Sequence, residues 1–72
     1  MNQEIKLLDV VALTEDLPDR KLRRGQVGTV VENLAPGVFE VEFTDNDGRA
    51  FASLALKTIQ LMVLYYQPVE AA

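Results

Sequence analysis

Val38-Phe39-Glu40-Val41-Glu42-Phe43-Thr44, running into Asp45-Asn46-Asp47-Gly48, is the stretch that decides the fold class. Phe39, Val41 and Phe43 fall on one side of an extended segment and Glu40, Glu42 and Thr44 on the other, the period of two expected of an antiparallel strand with one face buried. Asn, Asp and Gly tolerate the positive φ that tight turns demand, so 45–48 predicts a hairpin. A fourth strand follows over Arg49–Leu56. Toward the N-terminus, Leu7–Leu13 reads as a first strand, Thr14–Arg24 as a polar loop carrying Pro18, Gln26–Glu32 as a second strand opened by Gly25, and Asn33–Gly37 as a turn built on Pro36-Gly37. Toward the C-terminus, Lys57–Gln60 has room for a single helical turn, and Leu61–Leu64 can return as a fifth strand.

A helix over Phe51–Tyr66 is the structural rival, since Ala, Leu and Met favour helices and neither Gly nor Pro interrupts the segment. Its apolar positions do not settle into one stripe, however, and a fifth strand would help close a sheet whose edges are otherwise exposed. Five short strands, a long polar first loop, a tight hairpin and a single-turn connector are the layout of a small all-β, SH3-like barrel. The expected core comprises Val10, Ala12, Val27, Val30, Phe39, Val41, Phe43, Leu54 and Leu61. The expected domain spans 1–66, with 67–72 as a flexible tail.

The segment Leu22-Arg23-Arg24-Gly25-Gln26-Val27-Gly28-Thr29-Val30-Val31-Glu32 resembles the glycine-punctuated strand of KOW-type and related SH3-like domains. Taken with Leu8-Asp9-Val10-Val11-Ala12-Leu13, Phe39-Glu40-Val41-Glu42-Phe43 and Asp45–Gly48, it resembles a family of short bacterial proteins, domain of unknown function 4926, from about Ile5 to Leu64. The resemblance implies the fold and a bacterial setting. It brings no activity, cofactor or functional residue. Members sometimes encoded beside another short gene would suit one half of a two-protein system.

Composition narrows the function further. With 72 residues the chain forms one domain that buries only about 60% of its unfolded surface. It has no cysteine, so no disulfide framework is available and a cytoplasmic location is expected. Met1–Lys6 lacks the pattern of a signal peptide, and the apolar run Leu61–Tyr66 is far short of a membrane span. The formal net charge of −4 disfavours duplex nucleic acid as a partner.

Catalysis is poorly provided for. There is no His or Cys, and the single Ser, Ser53, lies in a predicted strand, so no Ser-His or Cys-His arrangement can be built. Glu40 and Glu42 share one solvent-facing strand face, which offers no cleft to drive two carboxyl pKa values apart. Counting from Asp45, the twelfth position of a calcium loop would be Leu56 rather than Glu, so the hairpin reading holds. Gly25-Gln26-Val27-Gly28 lacks the remaining elements of a phosphate cradle. No Trp is present to line a polyproline groove. The sequence therefore predicts neither enzyme activity nor a cofactor or metal.

Two surfaces are left as candidates for binding. Arg20, Lys21, Arg23 and Arg24 concentrate positive charge against the overall sign of the chain. They suit an acidic protein partner or RNA, unless Glu15, Asp16 and Asp19 merely balance them in a solvated loop. Tyr65 and Tyr66 end an apolar strand; they either pack into the core or offer amphipathic rings to a partner or a second copy at the C-terminal edge. The expected function is that of a non-catalytic protein-interaction module. An RNA-associated KOW-like module and an antitoxin or immunity-like neutraliser, paired with a neighbouring gene's product, are the alternatives.

Overall fold

The computed structural model describes residues 4–68. Five antiparallel strands form one sheet: β1 (Val10–Leu13), β2 (Val27–Ala35), β3 (Val38–Thr44), β4 (Ala50–Lys57) and β5 (Leu61–Val63). Their order is β4-β3-β2-β1-β5. Two 3₁₀ turns, Pro18–Arg20 in the first loop and Thr58–Gln60 before β5, are the helical elements among the described residues. The all-β architecture and the single turn before the last strand are as expected. The helical rival over Phe51–Tyr66 is excluded, because β4, a turn and β5 occupy that segment.

Closure was also expected of the fifth strand, and among the described residues no ladder joins β4 to β5. The sheet curls instead. Leu54 and Leu56 of β4 and Leu61 and Val63 of β5 reach one core with Val11, Leu13, Leu22, Val30, Phe39, Val41 and Phe43. The alternation in β3 explains this directly: Phe39, Val41 and Phe43 pair with Leu56, Leu54 and Ala52 on the inner face. Gly28 faces Phe43 across the β2–β3 ladder. A Cβ there would stand 2.7 Å from Val41 Cγ1 and 2.9 Å from the Glu42 carbonyl oxygen, so glycine is what allows β2 to lie this close.

The sequence misplaced two core residues. Val10 is half-buried and Val27 is exposed, while Ala12 is buried as expected; Val11 and Leu13 fill the inner face of β1. The reason is parity. Val10–Leu13 is apolar throughout and has no alternation to read, while the inward position Gly28 carries no side chain to betray the face of β2. The ladder sets the parity by pairing Val11 with Gly28 and Ala12 with Val27. Leu22, from the polar loop, and Leu56 and Val63 also join the core.

Boundaries shift for local reasons. β1 starts at Val10 because Lys6–Asp9 forms a turn, in which the Asp9 N–H donates to the Lys6 carbonyl at 3.0 Å and the Lys6 N–H to Asp9 Oδ2 at 2.8 Å. β2 runs on to Ala35 through two register irregularities. Asn33 holds that extension, its Nδ2 donating to the carbonyls of Ala35 at 3.0 Å and Val38 at 3.1 Å. The turn therefore shrinks from Asn33–Gly37 to Pro36-Gly37. β5 stops at Val63 rather than Leu64. Of the expected tail, 69–72 lie outside the described residues.

Candidate functional site

The basic segment is held firmly although its side chains are exposed. Leu17 and Leu22 form an antiparallel bridge, with N–H to carbonyl bonds of 2.8 and 3.1 Å, and Leu22 is buried in the core between the two pairs of cations. The Arg23 N–H donates to Gln26 Oε1 at 2.7 Å and the Arg24 N–H to Asp16 Oδ1 at 2.8 Å. Asp16 is thus engaged with backbone, and Glu15 Oε2 accepts from Gln60 Nε2 at 3.3 Å. Lys21 caps the 3₁₀ turn with φ 58°, its N–H donating to the Pro18 carbonyl at 3.1 Å. Arg20, Lys21, Arg23 and Arg24 all project into solvent.

Tyr65 and Tyr66 do not pack into the core; they are 74% and 78% exposed. With Leu8, Val10, Leu64 and Pro68 they line a groove of about 460 Å³. Leu8 sits at the third position of the Lys6–Asp9 turn with φ 72°, where type II turns demand a positive φ and glycine normally stands. A leucine there costs about 1–2 kcal/mol of backbone strain. The turn is fixed to the sheet, since the Leu8 N–H donates to the Val30 carbonyl at 2.7 Å and the Val30 N–H to the Asp9 carbonyl at 2.9 Å. Leu7 and Leu8 are both exposed. Among the described residues Leu8 and Lys21 are the non-glycine residues with positive φ, and each belongs to one of the two candidate surfaces.

The fold keeps these surfaces apart. The basic loop follows the C-terminal end of β1, and the tyrosine groove lies against its N-terminal end, so about 13 Å of strand separates them at ~3.3 Å per residue. Between them runs a feature the sequence reading missed. On the outer face, Met62, Ala12 and Val27 form one row across β5, β1 and β2. Val10 and Leu64 adjoin it, the Leu64 N–H donating to the Val10 carbonyl at 2.9 Å. The signal was present in Val10–Leu13, because an unbroken apolar run is what a strand covered on both faces looks like.

The remaining motifs are structural. Asp45 Oδ1 accepts from the Asp47 N–H at 2.9 Å and the Arg49 N–H at 3.0 Å, so its carboxylate stabilises its own hairpin. The Gly25 N–H donates to the Leu13 carbonyl at 2.8 Å, as part of the loop's return to the sheet. Glu40 Oε2 accepts from Ser53 Oγ at 2.5 Å on the outer face of β3 and β4. Among the described residues no group of three or more acidic side chains is arranged to hold a metal ion, and no helix is long and apolar enough to cross a membrane.

Comparison with curated proteins and with solved structures gives no match. A family model described as Domain of unknown function (DUF4926) matches residues 7–63, from the Leu7–Leu8 turn to the last residue of β5, and the chain belongs to that family.

Proposed function

We propose that the chain is a non-catalytic protein-interaction module of SH3-like form, acting in the bacterial cytoplasm. The observation that carries this reading is the exposure of Tyr65 and Tyr66 beside a groove whose other wall is the strained Leu8 turn. Amphipathic rings are enriched where proteins meet, and backbone strain persists only where the surrounding structure enforces it, often at functional sites. The basic loop supports the same reading as a steering surface for an acidic partner, since its backbone is pinned while its cations stay in solvent.

Co-expression with the neighbouring gene's product, followed by co-purification, tests the proposal. Tyr65→Ser/Tyr66→Ser should abolish the complex and Arg23→Ser/Arg24→Ser should weaken it, most visibly at low salt, with melting points nearly unchanged. A complex indifferent to both double substitutions, or no complex at all, rejects the reading. RNA association is the second reading, favoured by the four exposed cations. It is opposed by their separation from the tyrosines, because single-stranded RNA binding couples charge to aromatic stacking along one track. Salt-dependent retention on single-stranded RNA would favour it.

A further inference from the structure

The outer face of β5, β1 and β2 is apolar where a one-layer sheet meets solvent. Met62 and Val27 are 52% and 47% exposed on either side of Ala12, which their flanking bulk leaves only 4% exposed. Val10 and Leu64 extend the patch to the groove at Leu8, Tyr65 and Tyr66. A chain of 72 residues with no Cys and no His lacks the disulfides and the commonest metal ligands that staple many domains of its size. Oligomerisation is a further device of that kind, and one that this face leaves open.

The charges at the two ends of the patch select its occupant. One end carries Arg20, Lys21, Arg23 and Arg24 with Glu15, Asp16 and Asp19, four cations against three anions and so a net +1; the other carries Glu4 and Asp9 with Lys6, a net −1, and the exposed rings of Tyr65 and Tyr66. Stacking two copies with like ends together would bring both basic loops into contact. Stacking them with opposite ends together sets each basic loop against the carboxylates and rings of the other, where guanidinium–carboxylate and guanidinium–ring attraction are both available. A two-fold axis lying between the sheets and perpendicular to β1 generates this arrangement and closes it as a dimer.

We propose that the outer face of β5, β1 and β2 is the contact between two copies of this chain, packed face to face with β1 antiparallel to its counterpart. The proposal deepens the interaction-module reading by naming one partner, and it rests on that reading. The row Met62, Ala12, Val27 forms the dry centre of the contact. The basic loop and the tyrosine groove form its charged and aromatic ends.

Sedimentation equilibrium of the full chain, from micromolar to millimolar concentration, tests it. The wild type should sediment at twice the chain mass at the upper end. Met62→Lys should be monomeric throughout, with an unchanged circular dichroism spectrum. Val27→Glu, on the opposite flank of the row, should do the same and stands in if Met62→Lys fails to fold. Phe51→Lys, on the outer face of β4, should leave the dimer intact, and Arg24→Glu should weaken it. A wild type that is monomeric at every concentration overturns the proposal, as does a dimer that survives both Met62→Lys and Val27→Glu. A monomer that still captures the neighbouring gene's product through Tyr65 and Tyr66 overturns the dimer and leaves the interaction module standing.

Discussion

The outer face of the sheet carries Met62, Leu64, Val10, Ala12 and Val27 across β5, β1 and β2, whereas across β2, β3 and β4 it carries Thr29, Glu32, Glu40, Glu42 and Ser53, with Ala55 and Phe51 on the edge strand β4. Both halves stand over the same core. The acidic half can stay in water because its side chains prefer it, and Glu32 stands directly opposite Glu40, a like-charge pair that disfavours close packing of any anionic partner. The apolar half has no such reason to stay exposed. The difference is written in the strands themselves: β3 alternates because only one of its faces is dry, and β1 does not because neither of its faces is polar. A failure of alternation in a short strand is therefore informative about surface as well as about core.

The core beneath both halves supplies the largest expected effect. Phe43 is fully buried opposite Gly28 and Ala52, so Phe43→Ala should cost about 3–5 kcal/mol in denaturant melts. A loss below ~1 kcal/mol would mean that the inner face has been assigned backwards. Parity within the apolar half comes next. Val11→Ala should cost roughly 1.5–3 kcal/mol, the worth of a fully buried valine, while Val27→Thr should stay within ~0.5 kcal/mol in dilute solution. Equal effects would erase the distinction between inner and outer faces on which the comparison depends.

Two smaller effects sharpen the acidic half. Gly48 has φ 80° in the β3–β4 hairpin, and nothing lies within 4 Å of the position its Cβ would take. Gly48→Val should therefore destabilise by more than ~1 kcal/mol through backbone strain alone. A neutral result would show that the hairpin relaxes to another turn. Glu32→Lys, opposite Glu40, should stabilise by about 0.2–1 kcal/mol, an effect that salt should diminish. A salt-independent gain would point to packing rather than charge as its source.

Much of this molecule was legible before its structure. Phe39, Val41 and Phe43 declared the inner face of β3, Asp45–Gly48 declared the hairpin, and the absence of His and Cys removed the common nucleophile and base pairs. The candidate surfaces were legible only in part. Arg20–Arg24 stood out by charge, but nothing local showed that Leu22 anchors the segment in the core. Tyr65 and Tyr66 stood out by type, but their exposure depends on β5 ending at Val63. Leu8 was read as part of a strand, because a leucine carries no sign that it will occupy a turn position suited to glycine.

The sequence by itself determined the strand count, the turns that join the strands and the polarity of any strand that alternates, since these follow from side-chain periodicity and local backbone preference. The tertiary structure decided which side of Val10–Leu13 and of Val27–Val30 faces inward, that β4 and β5 share a core without sharing a ladder, and that the basic loop and the tyrosines lie at opposite ends of β1. The physical reason is that strand parity is a pairing property. A one-residue shift of register exchanges the two faces at no local cost, so only the partner strand, through Gly28 against Val11 and Val41 against Val30, can select one.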